Sequence, residues 1–270
     1  MHDFRLYEDS VISEIKRKHS ADSVLPNGFR YIYFENIDST NKFAKEHAGE
    51  LENAIIVAED QYAGVGKNSS HWWSSPCRSI LATIILSIDL EPAETIVYPL
   101  LVGVIIREVL AEHGVETEVK WPNDIYIGNK KLGGILCETI IENGKTEKLI
   151  IGFGINVNQT KDEMTLYNMT SLYEYKGIEF NRCEILADII AKLFEHMKDS
   201  SSDNTKYMER EVNSHLFAKG LTVTFESDKR YEGTLTGVGE DGALDRIRHE
   251  KVHFRENNHV TDEKEKVKNE

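Results

Sequence analysis

The chain has 270 residues, enough for one large domain with a small one or for two modest domains. With 40% hydrophobic and 29% charged residues it reads as an ordinary globular protein with a core of normal size. Acidic residues exceed basic ones by 46 to 32, a formal charge of −14, which sets the surface against nucleic-acid phosphate and points to a small-molecule or protein substrate.

Residues 1–25 read as one amphipathic helix, with Val11, Ile12 and Ile15 apolar and Lys16, Arg17 and Lys18 polar. The segment is too short for a helix-turn-helix domain. It is charged throughout and has no apolar h-region, so it does not read as a secretory signal. No run approaches the roughly 18 to 20 apolar residues of a membrane span, and the expected location is the cytosol. Residues 29–37, FRYIYFENI, predict an aromatic-rich strand, followed by N-cap candidates in Asp38-Ser39-Thr40-Asn41 and a helix over 41–50. Residues 54–59, AIIVAE, predict a buried strand. A Gly/Ser/Asn-rich loop runs to about residue 78, and 79–88 predicts another buried strand. Residues 98–110 fit a core helix stopped by Gly114. Residues 115–127 and 131–142 predict two strands joined at Gly128-Asn129, and 149–157, LIIGFGINV, a further strand with two close-approach glycines. Helices are expected over 181–198 and 203–215. After Lys219 short period-two strands, LTVTFES, RYEGTLTGV and ALDRIRH, are separated by turns at Ser227-Asp228 and Asp241-Gly242. They predict a small barrel-like domain. The charged tail from 261 to 270 reads as disordered.

Cys77, Cys137 and Cys183 are odd in number, widely spaced and without CxxC, so they read as reduced, mostly buried thiols and not as disulfides or a zinc site. Four segments carry possible chemistry. Lys120-Trp121-Pro122-Asn123-Asp124 follows an apolar strand, and its oxygen-bearing side chains suit magnesium as well as they suit a turn. Lys130-Lys131-Leu132-Gly133-Gly134 pairs a compact positive charge with glycines that admit a ligand close to the backbone, or is a plain hairpin. Gln61 to Trp72 is glycine-rich and suited to cradling anions. It fails as a P-loop because Gln61 stands at the first glycine and Asn68 at the Ser/Thr position. Asp38 to Asn41 is either a helix cap or a set of donors for a ureido or amide group. GxSxG, GxGxxG and kinase signatures are absent from the sequence.

The order of these segments, Asp-Ser-Thr-Asn, a Gly-rich loop ending in Trp72, Lys-Trp-Pro-Asn-Asp, Lys-Leu-Gly-Gly-Ile-Leu and Gly-Phe-Gly-Ile-Asn-Val-Asn, resembles the catalytic domain of biotin protein ligases. The resemblance runs from about residue 30 to 160 and continues weakly to the C-terminus. It implies an α/β (α+β) fold of class II synthetase-like type, a mixed central sheet flanked by helices, plus a small SH3-like β-barrel. The implied domains are an N-terminal helical segment at 1–25, a biotin/ATP-binding domain at 26–217 and the barrel at 218–260. The implied activity is formation of biotinyl-AMP from biotin and ATP, with Mg2+, and transfer of biotin to a lysine of a biotin carboxyl carrier domain. Ser39, Thr40 and Asn41 look like the biotin head-group residues, with Gln61 a second contact. Gly64, Val65, Gly66 and Lys67 look like the start of a closing loop, and Trp72 like its indole. Lys131, followed by Gly133 and Gly134, matches the catalytic lysine at the biotin carboxylate and reacting phosphate. Lys120, Asn123 and Asp124 resemble ATP residues, Asp124 being the magnesium candidate, and Asn156 resembles a residue near the adenine. An exposed sheet edge could support a homodimer.

The chain also departs from the family pattern. Three loop positions that carry arginine in the family hold Val65, Lys67 and Ser70, and a glycine position holds Ser69. Lysine is a point charge where arginine is a bidentate fork, and valine and serine carry no charge. Two readings stay open: an active ligase that holds its adenylate loosely, or a degenerate homologue that binds biotin or adenylate without efficient transfer. Near the end, His253 to Val260 stands where the family has Gly-Glu-hydrophobic-Ser.

Overall fold

The computed structural model describes residues 5–18, 25–26, 28–67, 70–164, 168–198, 201–226, 230–248 and 259–262. Its centre is a seven-stranded sheet in the order β1-β2-β3-β7-β6-β5-β4. The strands are β1 (Arg30–Ile37), β2 (Asn53–Gln61), β3 (Ser79–Leu90), β4 (Glu118–Lys120), β5 (Asp124–Ile127), β6 (Lys130–Glu142) and β7 (Lys145–Asn156). β1 and β2 pair in parallel and the remaining neighbours are antiparallel, so the sheet is mixed, as expected.

Strands β2 and β3 are apolar on both faces where helices cover the sheet on both sides. One face packs against α3 (Tyr98–Glu112) and α5 (Arg182–His196), with α1 (Glu8–Lys18) and α6 (Ser201–Ser214) completing the layer. α3 is apolar nearly all round, which fits a helix buried on most sides. The other face is covered only in part. The short α2 (Thr40–Glu46) and the turn after it set Ala44, Ala48 and Leu51 on Ile56, Ile85 and Ile150. Beyond α2 this face of β6 and β7 is open.

Several expectations change. The N-terminal helix spans Glu8–Lys18 and not 1–25; residues 5–7 are in no regular element, and residues 1–4 and 19–24 lie outside the described residues. The cause is tertiary: Leu6 is buried and its N–H donates to Glu59 Oε1 at 2.6 Å, so that backbone is used outside any helix. α2 ends at Glu46, and the expected stretch to 50 is turn. The strand expected over 115–127 is two strands, β4 and β5, folded back on each other with Lys120 opposite Asp124. Pro122 sits at the tip, where its missing N–H would break a ladder. The short α4 (Leu172–Lys176) was not legible in the sequence. Cys183 is buried, but Cys77 is exposed in the turn before β3, at φ 59°.

The C-terminal part shows β8 (Thr222–Glu226), β9 (Arg230–Val238), β10 (Leu244–Arg248) and β11 (His259–Asp262) as an antiparallel sheet ordered β10-β9-β8-β11. The described residues form this sheet; the Ser227-Asp228 turn and residues 253–258 lie outside them. Thr261 and Asp262, expected in a disordered tail, pair with Thr224 and Val223, and the tail from 263 lies outside the described residues. No helix among the described residues is long and apolar enough to cross a membrane.

Beneath β2 lies a buried ion pair. Arg182 Nη2 is 2.8 Å from Glu59 Oε2, and Arg182 Nη1 donates to Ser79 O at 2.7 Å. Removing one member of such a pair strands the other charge away from water. Arg182→Ala is therefore expected to lower unfolding free energy by about 3–5 kcal/mol, read from chemical denaturation.

Candidate functional site

The open face holds a cavity of about 410 Å³, within the range of roughly 300–1,000 Å³ typical of small-molecule sites. Its floor is bare backbone. Alternation along β7 sends Leu149, Ile151, Phe153 and Ile155 to the helical side and Gly152 and Gly154 to the cavity side. Gly134 of β6 pairs with Gly154, and Leu136 with Gly152. A Cβ on Gly152 would stand 1.8 Å from Asn41 Oδ1, and one on Gly154 2.5 Å from Trp72 Cε2. One on Gly134 would meet Asp124, Trp72 and Lys131 at 3.2–3.3 Å. Side chains from three separate segments thus rest where side chains of the sheet would otherwise stand.

One end of the cavity is polar and uncharged. Ser39 caps α2, accepting from Lys42 N at 3.4 Å. Ahead of it, the Lys42 ammonium bonded to Asp38 holds that carboxyl below its ordinary range. Thr40 N donates to Gln61 Oε1 at 2.7 Å. Asn41 Nδ2 donates to Leu136 O at 3.3 Å and to Glu138 Oε2 at 3.2 Å, while Thr83 Oγ1 lies 2.6 Å from Asn41 Oδ1. The Asn41 amide is held by the protein on both sides, so it serves as a wall of the cavity.

The two sides of the loop from Gly64 to Trp72 pair with each other, residues 68–69 lying outside the described residues. Val65 bridges His71, Trp72 N donates to Gly64 O at 2.9 Å, and Gly66 N donates to Ser70 O at 2.7 Å. Ser70 Oγ donates to Lys67 O at 2.8 Å, so this serine closes the loop on itself. The loop delivers Trp72 onto Gly154 and Gly134. Among the described residues, the buried Trp72 Nε1 finds no hydrogen-bond partner, which leaves a donor inside the site.

The other end is charged. Lys131 Nζ lies 2.7 Å from Asp124 Oδ1 and 5.5 Å from the centre of the Trp72 ring. Lys120 Nζ sits over the rings of Tyr126 and Phe217, at 4.6 and 5.1 Å. Asn123 binds β6 twice: its Nδ2 donates to Ile135 O at 2.6 Å and its carbonyl accepts from Ile135 N at 2.8 Å. Trp121 Nε1 donates to Gly242 O at 2.9 Å, which ties this hairpin tip to the C-terminal sheet.

Most of the expected site residues therefore converge on one cavity. Ser39, Thr40, Asn41 and Gln61 line one end; Val65, Gly66, Lys67 and Trp72 line the loop side; Lys120, Asn123, Asp124, Lys131 and Gly134 line the rest. Three expected residues stand outside this lining. Gly64 and Gly133 stand behind the lining. Asn156, expected near an adenine, is fully buried, donating to Thr170 O at 3.1 Å and accepting from Gln159 at 2.9 Å. It shapes the loop before α4 and not the cavity. The site also holds residues to which no role was given, Leu136 and Trp121 in its lining, and two that lie in no motif, Thr83 and Glu138 behind Asn41. Their signal was period two along β3 and β6, where Thr83 and Glu138 interrupt apolar stripes. No group of three or more His, Cys, Asp or Glu placed to hold a metal ion occurs among the described residues.

The family model described as "Biotin/lipoate A/B protein ligase family" matches residues 33–156. The bifunctional ligase/repressor BirA of Bacillus spizizenii is 31% identical over 224 residues, covering 80% of this chain and 69% of that one. This chain belongs to the biotin protein ligase family. The BirA ligase/repressor of Escherichia coli is 29% identical over 212 residues, and the chain spans about two thirds of the length of these two relatives. In structure, a mutant of the biotin protein ligase from Aquifex aeolicus in complex with biotin is similar at TM-score 0.72 and 25% identity, over 86% of this chain and 98% of that one. The Aquifex aeolicus enzyme in complex with biotin and ATP is similar at TM-score 0.66 and 26% identity, over 81% and 95%. The α/β architecture is thus that of the catalytic domain of biotin protein ligases.

The glycine floor of this biotin ligase fold is testable by itself. Gly152→Ala is expected to cost about 1–3 kcal/mol by overpacking against Asn41. Gly49→Ala, where nothing lies within 4 Å of an added Cβ, is expected to be neutral or slightly stabilising. Denaturation midpoints of the two variants check this.

Proposed function

We propose that this chain is a biotin protein ligase that forms biotinyl-AMP and transfers biotin to a lysine of a biotin carboxyl carrier domain. The observation that carries the reading is Lys131. It lies beside the glycine floor at the charged end, 2.7 Å from Asp124, in the same cavity as the uncharged polar end at Ser39–Asn41 and Gln61. A neutral ureido ring fits the uncharged end and a polyphosphate the charged one, with the biotin carboxylate and the α-phosphate meeting at Lys131.

In the first step a carboxylate oxygen of biotin attacks the ATP α-phosphorus. An O–P bond forms and the bond to pyrophosphate breaks. Negative charge builds on the phosphate oxygens, which the Lys131 ammonium stabilises, so positioning and charge carry the catalysis. Magnesium would arrive on the triphosphate and neutralise its oxygens. A single carboxylate at Asp124 fits an ion that keeps waters and substrate oxygens as its other ligands. In the second step the carrier lysine, as a free amine, attacks the acyl carbon. The C–O bond to AMP breaks and the amine loses a proton to form the amide. Trp72 and the loop shield the mixed anhydride from water meanwhile. The setting we propose is the cytosol, and the open edge of β1 could pair with a second copy.

A second reading, binding without efficient transfer, is favoured by one observation: Ser70 and Val65 complete the loop without charge, and Ser70 bonds Lys67 O. Both readings are tested by mass spectrometry of a biotinyl domain incubated with the protein, biotin, ATP and magnesium. A single added biotin is expected with wild type, and its rate should fall on the order of 10²-fold or more with Lys131→Ala. Biotin binding without any transfer would establish the second reading.

The loop chemistry makes a separate prediction. With Lys67 in place of an arginine fork, biotinyl-AMP should leave the protein readily and label nearby lysines without selectivity. Lys67→Arg is expected to lengthen the lifetime of bound adenylate, measured by filter retention after a single turnover. An unchanged lifetime would refute this.

A further inference from the structure

Thr83 stands on β3 behind the uncharged end of the cavity. Its side chain is fully buried and is not part of the lining. Its Oγ1 lies 2.6 Å from Asn41 Oδ1 and 2.8 Å from Thr40 Oγ1. A hydroxyl has one proton to give. Asn41 Oδ1 can only accept, whereas Thr40 Oγ1 can donate or accept. Asn41 Nδ2 already faces Leu136 O and Glu138, so the amide cannot flip without setting its oxygen against two acceptors. The arrangement that satisfies every group gives the Thr83 proton to Asn41.

The proton of Thr40 is then constrained. Its acceptors are Thr83 Oγ1 at 2.8 Å and Gln61 Oε1 at 3.0 Å. Gln61 lines the cavity and its Oε1 already receives Thr40 N, so donation to Thr83 is the choice that turns the proton into the sheet and leaves a lone pair of Thr40 Oγ1 facing the cavity. The bond from Thr40 N also turns Gln61 Nε2 away from Thr40.

We propose that Thr83 is a positioning residue that fixes this polarity, so that Thr40 accepts a hydrogen bond from a ligand N–H and the cavity selects a cyclic urea. The proposal deepens the ligase reading and rests on it. Within a family that spans biotin and lipoate, this is a basis for discrimination: a dithiolane ring has no N–H to give, and an acceptor left without a donor in a dry pocket is costly.

The test is calorimetric binding of biotin to wild type, Thr83→Val and Thr83→Ser, with the KM for ATP measured on each. Valine keeps the shape and removes the hydroxyl; serine keeps the hydroxyl. Thr83→Val is expected to weaken biotin binding about tenfold, which is about 1.4 kcal/mol, with the KM for ATP unchanged. Thr83→Ser should stay within about twofold of wild type, since the same hydrogen bond can form. For a biotin analogue with a ring oxygen in place of the ureido N–H that faces Thr40, the valine penalty should vanish. If the valine variant does not fold, Thr83→Ala removes the same hydroxyl with less bulk. Unchanged biotin affinity on loss of the hydroxyl, equal losses for serine and valine, or a parallel rise in the KM for ATP would each overturn the proposal. A wild-type protein that binds no biotin would overturn the ligase reading itself, an outcome distinct from these.

Discussion

The amide of Asn41 and the indole of Trp72 lie on β7 at points where a side chain of the strand would ordinarily stand. This close approach to bare backbone is the constraint that the rest of the site obeys. It requires glycine at 152 and 154 on one strand and at 134 on its neighbour, in register across the β6–β7 pair. It brings the start of α2 and the loop after β2 down onto the sheet. The cavity is what remains between them. Because β7 must also close the core below, its other face carries the unbroken row Leu149, Ile151, Phe153 and Ile155. One strand therefore serves packing on one side and ligand access on the other, and the glycines cost the core nothing.

Around that floor the polar groups are arranged so that few are left to chance. Ser39 caps α2, Asn123 binds β6 by both side chain and main chain, and Trp121 anchors the β4–β5 tip to Gly242. Lys120 is held over two aromatic faces and donates to Tyr126 Oη at 3.3 Å, a placement that keeps the cation ordered at the cavity wall. Such preorganisation matters most where charge develops during a reaction, because little reorganisation is then needed. In the weakly charged loop, Ser70 donates to Lys67 O.

Long periodic elements are legible in the sequence itself. α3 and the apolar runs of β2, β3 and β7 declare themselves by composition and length, and the order of motifs points to the family. The failures have physical causes. The N-terminal helix is shorter than its periodicity suggests because Leu6 is drawn into the core and its amide is bonded to Glu59. The strand through Trp121 breaks because Pro122 reverses it. Asn156, a ligand contact by its motif, is buried with its amide bonded to Thr170 O and Gln159. Thr83 and Glu138 carry no motif. Their importance arises only when Asn41 lands between them, at sequence separations of 42 and 97. Local pattern cannot report a contact made across a sheet.

The central claim is that Lys131, on this glycine floor, activates a biotin carboxylate with ATP. The most direct test is exchange of labelled pyrophosphate into ATP, which requires reversible adenylate formation and no carrier. The account predicts exchange that depends on biotin, is not supported by lipoate, and is lost in Lys131→Ala while biotin still binds. Exchange that persists without Lys131, or that lipoate supports as well as biotin does, would contradict it.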